Sequence, residues 1–278
     1  MNSTPHPNPP ARPARPVALV TGATRRVGLA IAAALARAGC DLIITYRSSL
    51  AAAREARQAV LRAASAAPTA APPAAAPPDP CVELIELDLS DPARVESAGR
   101  LLADRSTGID VLVHNASIYG PTPLASLSAA DALRHFHVNA LAPLMLSKHL
   151  APALARSSLP GGGAIVAMLD IHAMGLPRSN YSAYAMSKAA LHEMVRSLAK
   201  ELAPRVRVNA VAPGVVAWPD QHGHEESDPA VRAAYLARVP LARAGTPDDA
   251  AEAVRWLALH ARYMTGQVLR IDGGRSIE

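Results

Sequence analysis

Short runs of adjacent apolar residues alternate along this chain with longer segments rich in alanine and leucine. The runs VALV (17–20), DLIITY (41–46), VELIEL (82–87), DVLVH (110–114), AIVAML (164–169), VRVNAVA (206–212) and QVLRI (267–271) predict strands. Several are apolar at consecutive rather than alternate positions, the pattern of strands covered on both faces. Segments 26–39, 50–66, 92–104, 127–155, 182–203 and 247–260 predict helices. Regular strand–helix alternation implies an α/β fold, a single doubly wound domain with a seven-stranded parallel sheet and helices on both faces. Two stretches break the pattern. Residues 1–16 form a proline-rich tail, and APTAAPPAAAPPDP (67–80) is a low-complexity insertion that supports neither helix nor strand. The domain is therefore expected over 17–278.

Composition narrows the function. Half of the 278 residues are apolar and 18% are charged, which is globular. The net charge of +5 is scattered without a basic run, which argues against nucleic acid, while a nucleotide phosphate would answer the same charge. Two cysteines with no CxxC spacing read as reduced thiols. The N-terminus lacks the apolar core of a secretory signal, and no stretch is long and uncharged enough to span a bilayer. The expected setting is cytoplasmic, with no membrane partner.

The first strand leads into TGATRRVGLA (21–30), in the order of a Rossmann-type dinucleotide site. Gly22 permits a tight turn, Gly28 permits close helix–sheet packing, and the helix N-terminus offers unpaired N–H groups to a pyrophosphate. Arg26 stands where a small residue is expected. At the end of the second strand, Tyr46-Arg47-Ser48 carries no acid for a ribose 2′-hydroxyl. Arg47, joined by Arg25, suits a 2′-phosphate instead, which points to NADPH.

Further along, YAMSK places Tyr184 and Lys188 one helical turn apart on a shared face. A lysine beside a tyrosine favours the ionised phenol and brings it toward the working range of an acid–base catalyst. These features, with the Asn115-Ala116-Ser117 turn, Asn139 and Pro213-Gly214, resemble the short-chain dehydrogenase/reductase family over residues 17–274, the insertion excluded. The resemblance implies that Asn115 and Ala116 line the cofactor ribose and that Asp88, with Leu89 beside it, borders the adenine. It implies that Lys188 binds the nicotinamide ribose and that Pro213 and Gly214 lie against the nicotinamide. It also implies a proton relay from Asn139 through Lys188, and a homotetramer built on the long helices.

Most members of the family carry a serine ahead of the tyrosine to bind a substrate carbonyl. Here AMLDIHAMGLPRSNYSAY places Asp170 there. A carboxylate repels a carbonyl oxygen but suits a ring with N–H groups and a nitrogen to be protonated, as in a pterin. With Arg26, the loop reads TGxxxRxG and resembles the pteridine reductase branch, as do YRSS, LDLS and NASIYGPTPL. Within that branch Arg26, beside Val27, bridges cofactor phosphate and substrate, Ser117 contacts both ligands, and Tyr119 sandwiches the pterin against the nicotinamide. Asp170 precedes Tyr184 by one position more than the branch's usual spacing, so the loop between must bulge.

The expected reaction is NADPH-dependent reduction of dihydrobiopterin or dihydromonapterin, with dihydrofolate a further candidate and proton donation from Tyr184 with Asp170. A generic carbonyl reductase, such as a 3-oxoacyl-thioester reductase, is the rival on the same fold. A silent NADPH-binding regulator is the rival of another class. Trp218 is expected as a lid residue over the substrate, with core packing as the alternative, and Tyr181 either lines the pocket or starts the helix. His222, His224, Glu225 and Glu226 suggest a mobile flap rather than a metal site, and Phe136, Trp256 and Tyr263 are assigned to core or interfaces.

Overall fold

The computed structural model describes residues 15–66, 79–105, 108–218 and 227–277. The expected tail and insertion fall almost entirely outside these residues, as do His222, His224, Glu225 and Glu226. Seven strands form one parallel sheet in the order β3-β2-β1-β4-β5-β6-β7. They are β1 (Val17–Val20), β2 (Asp41–Tyr46), β3 (Val82–Glu86), β4 (Val111–His114), β5 (Gly163–Met168), β6 (Val206–Pro213) and β7 (Val268–Ile271). The helices are α1 (Arg26–Arg37), α2 (Leu50–Ser65), α3 (Pro92–Ala103), α4 (Ala129–Phe136), α5 (Ala142–Leu154), α6 (Ser182–Glu201), α7 (Pro229–Leu236) and α8 (Pro247–Leu259).

The adjacent apolar residues of the strands divide between two cores, because successive side chains point to opposite faces of a sheet. Ala18, Val20, Val111, Val113, Ala164 and Val166 pack with α1 and α8 on one face. Val17, Leu19, Leu112, Ile165 and Ala167 pack with α5 and α6 on the other. Every residue of β1, β4 and β5 is buried. The chain winds outward in opposite directions from β1 and β4, so a crevice opens beyond their carboxyl ends, where such sheets bind ligands.

Two departures from the sequence pattern matter for the site. The segment expected as one helix over 127–155 is interrupted by a π-helical turn at His137–Leu141. Pro143 lacks the N–H that an α-helix would direct to the Asn139 carbonyl, and wider bonding from Ala142 N to His137 O takes its place. Helix α7 has no counterpart in the apolar pattern. Its start is nonetheless written in the sequence, since the Asp228 side chain caps the Ala230 N–H and Pro229 occupies the first turn. Phe136 and Trp256 are more than a third exposed and Tyr263 is fully exposed, so none is a core residue of this chain. Among the described residues no helix is long and apolar enough to cross a membrane.

Candidate active site

The expected cofactor residues gather at the carboxyl ends of the strands. Gly22 adopts φ +63, and a Cβ there would stand 2.9 Å from the Ala116 Cβ. A Cβ on Gly28 would stand 2.5 Å from Asn115 Nδ2. Asn115 closes this junction by donating to the carbonyls of Thr21 (2.9 Å) and Gly22 (3.0 Å), while Thr21 Oγ1 accepts from the amides of Asn115 and Ala116. Close backbone approach is what a phosphate-binding turn requires, and only glycine permits it here. Helix α1 begins at Arg26 without a side-chain cap or an acid in its first turn, whereas α2, α3, α4, α7 and α8 are each capped by a side chain. The uncapped N–H groups, the glycine cradle and two exposed arginines, Arg25 and Arg47, fit the phosphates of a dinucleotide.

Asp88, expected to border the adenine, follows β3 by two residues. Burial pushes its carboxyl upward, but bonds from the Ser90 amide and hydroxyl, with the charges of Arg47 and Arg94, hold it below the usual carboxylate range. Tyr46 and Leu89 are buried, and Leu89 packs with Val95, Val138 and Leu146 instead of opening into the crevice. Ser48 is exposed, and Val27 is half-buried in the first turn of α1.

Arg26 answers the oddity of the loop. Its φ of 52 lies in the left-handed region that favours glycine, a strain of roughly 1–3 kcal/mol for another residue. Its guanidinium crosses the crevice and donates to the carbonyls of Ala217 (2.9 Å) and Trp218 (2.8 Å), tying the phosphate loop to the segment after β6. The sequence pattern anticipates a cation over the loop but not this backbone partner.

The residues expected to be catalytic come together from the turn after β5 and from α6. The Tyr184 hydroxyl donates to Asp170 Oδ2 at 2.8 Å, and Asp170 Oδ1 accepts from the His172 amide at 2.8 Å. A short 3-10 turn, Ile171–Ala173, takes up the extra residue expected between them. Lys188 is buried, donates to the Met168 carbonyl at 2.7 Å, and stands 5.9 Å from the Tyr184 ring centroid. Asn139 accepts from the Ile118 amide (2.9 Å) and the Ser117 hydroxyl (3.1 Å), and donates to the Ile118 carbonyl (3.0 Å) and Ser187 Oγ (2.9 Å). These bonds join it to the β4 turn and α6; they do not reach Lys188, whose ammonium bonds Met168. The relay implied by resemblance is therefore not made by direct contact.

Tyr119, more than a third exposed, stacks on Tyr181 at 5.0 Å and meets the Tyr184 ring edge-on at 5.0 Å. Arg178 lies 4.2 Å over Tyr181 and donates to the Tyr119 hydroxyl at 2.5 Å. The Trp218 ring packs edge-on against Tyr235 of α7 at 5.8 Å. Arg178 and Tyr235 border the site without having been singled out from the sequence, whereas the sequence leaves Tyr181 between lining the pocket and starting the helix. A tyrosine three positions before the catalytic one is the only local signal for Tyr181, and α7 itself had to be found before Tyr235 could be. His114, at the end of β4, is buried against Ser147 at 2.8 Å, and burial pushes its imidazole down to about 3, so it is neutral.

Burial pushes the Lys188 ammonium down to about 8, a shift moderated by the Asp170 carboxylate. Below about 8 the group is charged in both the folded and unfolded chain, and the fold carries the full desolvation cost. Between about 8 and 10.5 the unfolded chain binds more protons at this position, so stability rises with pH. Lys188→Met removes the buried charge. Its stability relative to the wild type, measured by urea unfolding, is expected to fall by about 3 kcal/mol as pH rises through that window. A difference independent of pH would show that burial does not penalise the charge.

Comparisons with known proteins agree with this geometry. A family model described as enoyl-(acyl carrier protein) reductase matches residues 22–276. An uncharacterized oxidoreductase of Methylorubrum extorquens is 35% identical, covering 93% of this chain and 96% of its own. A 3-oxoacyl-[acyl-carrier-protein] reductase of Synechocystis is 34% identical, covering 93% and 96%. Pteridine reductase 1 of Leishmania tarentolae is 33% identical, covering 95% and 98%. Among solved structures, a blue fluorescent protein from a metagenomic library in complex with NADPH superposes with a TM-score of 0.77 at 30% identity, covering 94% and 98%. A short chain dehydrogenase of Burkholderia cenocepacia in complex with NADP superposes with a TM-score of 0.75 at 33% identity, covering 93% and 96%.

Proposed function

Because this chain belongs to the short-chain dehydrogenase/reductase family of nicotinamide-dependent oxidoreductases, we propose that it reduces a pteridine at the expense of NADPH. The observation that carries the reading is the 2.8 Å hydrogen bond from Tyr184 to Asp170, at the position where the family's carbonyl reductases place serine. The 33% identity with a pteridine reductase supports it. When bound, NADPH supplies a hydride to an unsaturated carbon of the pyrazine ring.

The chain's own residues do the rest. Tyr184 holds on its hydroxyl the proton that passes to the adjacent ring nitrogen. The Asp170 carboxylate keeps that proton on the phenol through a charge-assisted bond and accepts from a pterin N–H. The Lys188 charge stabilises the phenolate left behind, an interaction strengthened by its burial. Tyr119, fixed by Tyr181 and Arg178, offers a ring on which the pterin stacks, and Arg26 and Ser117 line the same space. Orientation of this kind raises the rate without taking part in the chemistry. Trp218, held by its carbonyl and its ring, forms the outer wall.

The preference for NADPH rests on Arg47, whose charge stands near Asp88 with no acid at the end of β2. Arg47→Asp is expected to weaken NADPH binding at least tenfold while changing NADH binding little, measured by titration of nicotinamide fluorescence. Equal loss for both cofactors would remove Arg47 from the 2′-phosphate site. The identity with a 3-oxoacyl-[acyl-carrier-protein] reductase favours a carbonyl reductase as the second reading. The reaction itself is tested with 4-deuterated NADPH and dihydrobiopterin. One cofactor should be oxidised per tetrahydropterin formed, with deuterium bonded to ring carbon. Pterin recovered unreduced and undeuterated would exclude the proposed reaction.

A further inference from the structure

We propose that Tyr235 of α7 is a positioning residue for hydride transfer, fixing the strap Gly214–Trp218 against which the nicotinamide lies. The proposal rests on the nicotinamide-binding reading of Pro213-Gly214, and it is independent of the pteridine assignment.

Tyr235 touches both ends of the strap. At the near end its hydroxyl accepts from the Val215 amide at 3.2 Å. A Cβ on Gly214 would stand 3.1 Å from the same hydroxyl and 3.1 Å from the Asp272 Cα, so the approach is close enough to favour glycine. At the far end the Tyr235 ring takes the edge of Trp218 at 5.8 Å and 81°. The remaining contacts of the strap come from separate parts of the molecule. Gly214 N donates to Ile271 O (2.9 Å) and Gly245 N donates to Val215 O (3.0 Å). Arg26 holds the Ala217 and Trp218 carbonyls from the phosphate loop, and Arg232 stands 5.1 Å over the Trp218 ring.

The strap is thus a bridge between the glycine-rich loop, through Arg26, and helix α7, through Tyr235. Tyr235 contacts the Val215 amide and the terminal ring of the strap together. Helix α7 buries none of its residues fully, so its half-buried tyrosine is a principal anchor and not one core residue among many. Burial, with the charge of Asp170 adding to it, raises the pKa of the phenol, so its hydroxyl stays protonated.

Tyr235→Phe keeps the ring contact and removes the acceptor for Val215 N; Tyr235→Leu removes both. In the protein without cofactor, amide exchange at Val215 is expected to quicken about tenfold in the phenylalanine variant. On titration with NADPH, the variant should bind with affinity close to that of the wild type but show less than half the gain in nicotinamide emission. That combination reports a ring held loosely on an intact phosphate site. Neither readout needs a substrate, so both hold whether or not a pterin is turned over. Failure of the wild type to bind NADPH would instead remove the cofactor reading on which the proposal stands. Faster Val215 exchange with undiminished nicotinamide emission would make Tyr235 a structural residue and overturn the proposal. Unchanged exchange would overturn it as well. Tyr235→Leu is expected to reproduce the loss of emission and to expose Trp218 to acrylamide quenching, which a variant that merely fails to fold would not do with NADPH still bound.

Discussion

Asp170→Asn is expected to lower dihydropterin turnover about a hundredfold while leaving NADPH affinity unchanged. The carboxylate has two duties, and asparagine separates them. A side-chain carbonyl still accepts from the His172 amide, so the 3-10 turn after β5 keeps its cap. The negative charge is lost, and with it the charge-assisted bond from Tyr184. The charge on Lys188 is weakened as well, since Asp170 is the group that raises the affinity of Lys188 for its proton. The variant is checked by steady-state kinetics together with a cofactor titration. Undiminished dihydropterin turnover would detach Asp170 from the chemistry.

Tyr184→Phe is expected to reduce turnover more, by about a thousandfold, because no other hydroxyl in the described site stands beside both Asp170 and Lys188. The ring stays packed edge-on against Tyr119 and Tyr181, so thermal stability should move by no more than about 1 kcal/mol. Both cofactor affinity and the unfolding midpoint are needed beside the rate, to show that the chemistry alone has gone. Residual turnover within tenfold of the wild type would mean that the proton comes from elsewhere.

The sheet was legible because its central strands are buried on both faces, and that burial writes itself as runs such as VALV and AIVAM. The cofactor end was legible for a related reason. Gly22 and Gly28 stand where backbone must meet backbone, and Arg47 stands where an acid is missing. What escaped the pattern depends on bonds between distant segments. The break in the helix through Asn139 follows from a single absent N–H at Pro143, which an apolar period does not register. Helix α7 is short and carries no fully buried residue, so it has no apolar stripe to find, and Tyr235 went unseen with it. The partner of Arg26 was hidden because it is backbone, the carbonyls of Ala217 and Trp218, and any sequence there would present them. The extra residue between Asp170 and Tyr184 was visible as a count, but the 3-10 turn that absorbs it was not.

The central claim is that an aspartate bonded to the catalytic tyrosine selects a pterin over a carbonyl substrate. Oxidation of NADPH by the purified protein, with dihydrobiopterin, dihydrofolate and an acetoacetyl thioester compared side by side, tests it most directly. The account predicts turnover of dihydrobiopterin and little or none of the thioester. Turnover of the thioester alone would contradict it, and would make Asp170 a variant feature of a carbonyl reductase.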